Sequence, residues 1–215
     1  MRRAFKKIFG KTKVFSFFSW LVNKYLEEQS FIYRPEQFKE YGKDIIIGAK
    51  VYINFPERVI LKDRARISSG ALINSRGGLF VGENTGIADN CVILTDQHRY
   101  RGARTIPFDD VVDLKPVIIR EYVWIGIGVM IMPGIEIGEG AIIGMGSVVT
   151  KNVPPLAIVL GNPAEIIGHR SKEHYYECKA AGKYHEIMIT KHEENLPFMI
   201  KRRYEKELKD LGIIE

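Results

Sequence analysis

One histidine stands alone in the first 168 residues of this 215-residue chain: His98, with His169, His174, His185 and His192 all falling later. It opens a polar segment, HRYRGARTIPFDDVVDLKP (98–116), between two aliphatic runs, CVIL and VII. An imidazole titrates near neutral pH, so it can take the proton of a hydroxyl as that hydroxyl attacks a carbonyl. A lone histidine more often fills a structural place. At the root of a polar excursion from an aliphatic stretch, however, chemistry is the stronger reading. Asp96 lies two residues earlier on the same face of an extended strand, where its carboxylate would orient the ring; a backbone carbonyl would serve that purpose equally well. Zinc catalysis asks for about three clustered ligands, commonly histidines. Only one histidine is within reach here, so no metal is expected.

The elements that must hold His98 announce themselves by period. Ile119, Ile125, Ile131, Ile137, Ile143 and Val149 recur every six residues, and each is followed four residues later by Val123, Val129, Ile135, Ala141, Ser147 and Val153. A helix needs apolar residues at spacings of three and four, and a half-buried strand needs strict alternation. Period six fits neither. It fits a chain that turns a corner every six residues, so that three faces close a triangular coil with aliphatic side chains stacked inside. The earlier half carries the same pattern in shorter runs: Ile47 and Ile53; Leu61, Ile67 and Ile73; Val81, Ile87 and Ile93. The second inward positions there read as Ala65, Ala71 and Gly77, then Thr85, Cys91 and Gln97. Between these runs the register slips by two residues, which predicts corner insertions near 57–60 and 75–80. The expected fold is mainly β: a parallel β-helix of roughly five coils over residues 45–168, with a loop projecting at 98–116.

The ends read differently. Residues 1–44 form a basic, aromatic segment in which Phe5, Ile8, Phe9, Phe15, Phe18, Leu21, Val22, Tyr25 and Leu26 follow helical spacing among Arg2, Arg3, Lys6, Lys7, Lys11 and Lys13. Such a helix suits the open end of a solenoid, which needs a cover. A peripheral contact with an anionic membrane surface is the second reading. Residues 169–215 read as a charged helical extension with Gly212 as a stop. The net charge of +6 favours anionic ligands. Yet the basic residues gather at the ends and no nucleic-acid module is legible, so no nucleic-acid partner is expected. Cys91 and Cys178 make neither a disulfide framework nor a metal spacing, which points to a reducing, cytoplasmic setting.

From Pro116 to Gly168, the stretch VWIGIGVMIMPGIEIGEGAIIGMGSVVTKNVPP followed by GNPA resembles the hexapeptide-repeat acetyltransferases, above all the galactoside, maltose and polysaccharide O-acetyltransferase branch. The resemblance covers about residues 45–168 and is most specific in its second half. It implies a left-handed coil, a homotrimer with a cleft between each pair of neighbouring subunits, and acetyl-CoA as donor. In this branch the catalytic histidine follows an Asn about eight residues upstream, here Asn90, and precedes the projecting loop; that position is His98. The resemblance further implies that Trp124 lines the cleft and that the Ile127 backbone N–H steadies the oxyanion. Gly126, Gly144, Met145 and Gly146 would border the pantetheine groove, and Thr150 and Lys151 would meet phosphates. Two positions depart from the pattern. Glu165 and Gly168 stand where basic residues usually follow GNPA, which leaves the 3′-phosphate to His169, Arg170 or a neighbouring subunit. The asparagine that binds the acceptor sugar aligns with Ser68, with Ser69 and Asn74 nearby, so the glycan or other small acceptor stays open.

The expected activity is O-acetylation of a sugar or polysaccharide precursor. Acetylation of an amino sugar or of an antibiotic is the alternative within enzymes; the drug-acetylating branch carries Asn directly before its histidine, where this chain has Gln97. A non-catalytic scaffold is the alternative outside them, and it would need neither His98, the loop nor Trp124.

Overall fold

The computed structural model describes residues 33–184, together with Phe17 and Lys209. The amphipathic helix read in residues 1–30, and the charged helix read towards Gly212, lie outside the described residues. The chain divides into two units, Met1–Lys183 and Tyr184–Glu215, and everything below belongs to the first.

The period-six reading is the architecture. Three parallel sheets run the length of a solenoid. The first face stacks Glu40–Tyr41, Val59–Leu61, Leu79–Val81, Val117–Ile119 and Glu136–Ile137. The second stacks Ile46–Ile47, Arg66–Ile67, Gly86–Ile87, Trp124–Ile125, Ile142–Ile143 and Ala157–Leu160. The third stacks Tyr52–Asn54, Leu72–Asn74, Val92–Leu94, Met130–Ile131 and Val148–Val149. These make five complete turns and a partial sixth that adds an isolated Ile137–Val153 bridge and the strand Ala157–Leu160. The coil begins at Glu40, five residues earlier than residue 45.

Each face carries one inward column in register. On the second, Ile47, Ile67, Ile87, Ile125 and Ile143 pair in succession, at intervals of 20, 20, 38 and 18 residues. Eighteen residues are three hexapeptides. The two extra residues of the early coils sit at the corners around Pro56–Arg58 and Ser75–Gly78, where the register slips predicted them. The interval of 38 contains the insertion after His98. Among the described residues, nine isoleucines, including Ile87, Ile125 and Ile143, are at most 1% exposed. Removing each from water contributes about 1.5–3 kcal/mol.

Two second-position readings are corrected. Ser75 and Thr95, both fully buried, fill the places assigned to Gly77 and Gln97. Strand alternation carries two residues past Ile73 and Ile93 before the longer corner starts, so the inward side chain comes earlier. Their hydroxyls are satisfied internally: Ser75 donates to the carbonyls of Asn54 and Phe55, and Thr95 donates to Asn74 O at 2.8 Å. Gly77 is required for another reason. A Cβ there would lie 2.0 Å from Thr95 O, so the two coils approach only over a glycine.

Both ends of the core are covered. Phe38, 7% exposed, packs between Tyr33, which it meets edge-on, and the tilted ring of Tyr41, and the Tyr33 hydroxyl donates to Ile53 O at 3.2 Å. At the other end Glu165–His169 folds back antiparallel on Ala157–Leu160. The helix Lys172–Ala180 follows, its first turn capped by Ser171 Oγ, which accepts the His174 amide. Tyr175 donates to Glu139 at 2.8 Å and Lys179 pairs with the same carboxylate, which fastens the helix to the coil. Among the described residues, no helix is long and apolar enough to cross a membrane.

Candidate functional site

The projecting loop is a β-hairpin, and His98 stands at the end of its first strand. Thr95 and Lys115 form its neck: the Lys115 amide donates to Thr95 O at 2.8 Å, and the Thr95 hydroxyl accepts the Gly77 amide at 2.7 Å. Asp96–His98 then pairs antiparallel with Val112–Leu114, placing His98 opposite Val112. Arg99 extends the ladder, donating to Val111 O and accepting from Asp109 N. The hairpin leaves the solenoid at the corner between the third and first faces. His98 is exposed, and its ring stacks on Phe108 with centroids 4.2 Å apart and planes 22° from parallel. Neither imidazole nitrogen has a hydrogen-bond partner among the described residues. The ring is therefore held by one face, with both nitrogens open to a ligand.

Asp96 turns its carboxylate to the coil. Asn54 Nδ2 donates to Asn74 Oδ1 at 3.0 Å, Asn74 Nδ2 donates to Asp96 Oδ1 at 2.7 Å, and Arg76 Nε lies 3.4 Å from Asp96 Oδ2. This ladder of polar side chains climbs three coils and ends two residues from His98. Asp96 thereby anchors the strand that carries the imidazole. Arg76 also lies over the Phe55 ring at 5.3 Å, with Arg58 over the same ring at 5.6 Å. The amide ladder is not legible in the sequence, since its members stand 20 and 22 residues apart.

At the hairpin's far end, Asp109 is buried among exposed neighbours. Its carboxylate accepts from Arg99 Nε at 3.0 Å and from Arg99 Nη2, from the Arg104 amide at 3.1 Å and from the Val111 amide at 3.0 Å. The Arg99 guanidinium, with these two amides, holds the carboxyl down to about 2. A depressed carboxyl stabilises the fold above its ordinary titration range and ceases to do so as pH falls through the depressed value. Arg99, Asp110 and Asp113 are the charged side chains nearest to it, and Arg104 pairs with Asp110. Hairpin order is thus expected to persist down to about pH 4 and to be lost between there and pH 2. Protection of the Arg104 and Val111 amides from hydrogen exchange measures it. Unchanged protection at pH 2 would contradict the anchoring role.

The second group of predicted residues lies elsewhere. Trp124 projects from the second face, 58% exposed, and Ile127 and Met145 stand on successive turns of the corner between the second and third faces, 50% and 70% exposed. Gly126 permits these turns to stack, because a Cβ there would meet Met145 N at 2.7 Å and Ile143 O at 2.9 Å. Gly144 is crowded in the same way, by the Leu160 side chain at 2.5 Å. Gly146 takes φ +69° and faces open space. The backbone amides of Ile127 and Met145 donate to no acceptor among the described residues, whereas Gly126, Gly128, Gly144 and Gly146 all spend theirs between coils. Ser68 and Ser69 occupy the same corner two coils earlier.

The candidate residues therefore fall on two corners of one protomer. Asn74, Asp96, His98, Thr150 and Lys151 belong to the corner between the third and first faces. Ser68, Ser69, Trp124, Gly126, Ile127, Gly144, Met145 and Gly146 belong to the second face and its far corner. The third face separates them. Its outward column, Tyr52, Leu72, Val92, Met130 and Val148, is apolar, with Tyr52, Leu72 and Met130 each at least 42% exposed. Lys151 is 3.7 Å from Glu165 and is thus partly neutralised. Arg170 joins neither group: its Nε donates to Gly140 O at 2.6 Å beside the docked helix. A cavity of about 410 Å³ between Arg120, Glu136, Asn152 and Pro154 contains none of these residues.

The description "Bacterial transferase hexapeptide (six repeats)" matches residues 116–151. The putative colanic acid biosynthesis acetyltransferase WcaF of Escherichia coli is 26% identical over 71% of this chain and 81% of its own length. Among solved structures, a maltose O-acetyltransferase from Clostridium difficile superposes with a TM-score of 0.59 at 29% identity, over 64% of this chain and 72% of its own. The hexapeptide-repeat acetyltransferase VCA0836 from Vibrio cholerae, complexed with acetyl coenzyme A, gives a TM-score of 0.59 at 25% identity, over 64% of this chain and 74% of its own. With the columns, the corners and the hairpin in place, the chain is similar in sequence and in fold to the hexapeptide-repeat acetyltransferases.

Proposed function

We propose that the chain is an acetyl-CoA-dependent sugar O-acetyltransferase, working as a homotrimer in which His98 of one subunit faces the Trp124–Met145 corner of the next. The observation that carries this reading is the division of the site. An exposed imidazole with two open nitrogens stands on one corner, and the free amides that suit a thioester stand on another. A neighbouring copy laid against the apolar third face would bring the two together. The O-acetyltransferase likeness and the acetyl coenzyme A held by a relative supply the donor and the acceptor class.

The donor fits what this chain offers. An extended pantetheine arm carries amide carbonyls, and the Met145 N–H has no acceptor among the described residues. Gly146, where no side chain intrudes, leaves room for the arm beside it. Thr150 and Lys151 lie exposed, to meet phosphate oxygens, although Glu165 takes part of the lysine's charge.

The chemistry then follows from the residues. An acceptor hydroxyl set against an open His98 nitrogen loses its proton to the ring as its oxygen attacks the thioester carbon. Negative charge gathers on the carbonyl oxygen, and the Ile127 N–H meets it there; one such donor typically accounts for about 3 kcal/mol of the barrier. As the carbon–sulfur bond breaks, the imidazolium returns its proton to the departing sulfur. The products are an acetyl ester and free CoA, and His98 is neutral again. Asp96 acts through the strand: fixed by Asn74 and Arg76, it keeps the imidazole at a set height above the coil.

Release of free thiol from acetyl-CoA, measured against a panel of mono- and oligosaccharides, tests the reading. Turnover on a hydroxyl acceptor is the expected result. CoA binding with turnover only on amino sugars would replace the acceptor class, and neither binding nor turnover would leave a scaffold.

A further inference from the structure

We propose that Phe108 and Asp109 are positioning residues for His98, Asp109 locking the far end of the hairpin so that Phe108 stands as a wall against one face of the imidazole. The proposal rests on the reading of His98 as the general base.

Polar contacts do not orient the imidazole, since its nitrogens bind nothing among the described residues. Its orientation comes from the stack on Phe108, at 4.2 Å and nearly parallel. Phe108 is itself 45% exposed and touches no core, so something else must hold it. The next residue does. The Asp109 side chain is only 2% exposed, in a loop whose neighbouring Asp110 side chain is 81% exposed. It gathers both edges of the hairpin: Arg99 from the outgoing strand, Val111 from the returning one, and the Arg104 amide from the tip. Thr105 Oγ1 adds a bond to Phe108 O at 2.7 Å.

A buried carboxylate is costly in a projecting loop unless every oxygen is engaged, and a wholly polar turn would fold without one. The gain is a fixed geometry. An aromatic ring against one face of the imidazole blocks water and rotation about the side-chain bonds, and leaves both nitrogens and the other face to the reactants. Placing a base correctly is worth orders of magnitude in rate, and small misplacements lose much of it.

The test uses the full-length oligomer with ¹³C-labelled histidine and follows the His98 ring proton resonance, assigned through His98→Gln. Stacking beneath Phe108 displaces this resonance upfield of the chain's other histidines. Phe108→Ala and Asp109→Asn should each move it back, lower kcat about 10- to 100-fold and leave KM for acetyl-CoA within about twofold. Phe108→Tyr should restore both resonance and rate. A His98 resonance that does not respond to Asp109→Asn overturns the proposal, as does a displaced resonance with full kcat. Unchanged coil amide resonances in each variant show that the solenoid is intact. If acetyl transfer is undetectable in the wild type, the reading of His98 as a base fails. The resonance shifts then still report whether Asp109 holds the stack.

Discussion

Replacing His98 with alanine is expected to lower kcat about 10²–10⁴-fold, the usual contribution of a positioned general base. Oligomeric state should not change. The ring is exposed and its one close partner is Phe108, so thermal stability should move by no more than a surface substitution does, about 0.5 kcal/mol. That separation of effects is what makes the variant informative. An interaction used only in the transition state lowers kcat and kcat/KM together, while KM for acetyl-CoA stays near its original value. Steady-state thiol release on purified oligomer measures both. Wild-type kcat in the variant would remove His98 from the mechanism.

The second large effect is on stability. Ile125→Ala is expected to cost about 2–5 kcal/mol, read as a fall in the denaturant midpoint at constant slope. Ile125 is fully buried and lies in register between Ile87 and Ile143, so truncation opens a cavity that the stacked coils cannot close without breaking strand pairing. Ile125→Val, which removes one methyl group, should cost only about 0.5–1.5 kcal/mol. In a solenoid each turn contacts only its neighbours, so the loss is felt first in the coil that carries Trp124 and Gly126. A midpoint indistinguishable from wild type would mean that the column is not the main source of stability.

The contrast between these variants mirrors what the sequence made legible. Columns such as Ile119–Val149 were readable because every hexapeptide repeats the same physical problem: one aliphatic side chain must point inward at each face. The two-residue slips around Pro56 and Ser75 were readable for the same reason, as gaps in a period. Positions at the slips were not. Whether Ser75 or Gly77 turns inward depends on how far the strand runs before the corner, and period alone carries no such information. The start of the coil at Glu40 was hidden because its first strand carries tyrosine, with an aromatic cap, in place of the aliphatic signature.

The site divided along the same line. His98 drew attention by its solitude in an aliphatic stack. Phe108 and Asp109 did not, because the stack and the Arg99 pair join residues ten apart across a hairpin that the sequence marked only as a projecting loop. The opposition of Arg99, Arg101 and Arg104 to Asp109, Asp110 and Asp113 was the available clue to a folded insertion. Arg170 illustrates the converse. Its place after the GNPA motif suggested a phosphate contact, but its guanidinium turns inward to the Gly140 carbonyl.

Whether acetyl transfer takes place between two copies of this chain is decided by a crystal structure of the oligomer with coenzyme A bound. A threefold assembly is expected, in which each sulfur lies about 3–4 Å from one subunit's His98, with the pantetheine arm along Gly126–Met145 of its neighbour. A sulfur bound far from every His98, or a cleft built wholly within one protomer, would contradict it.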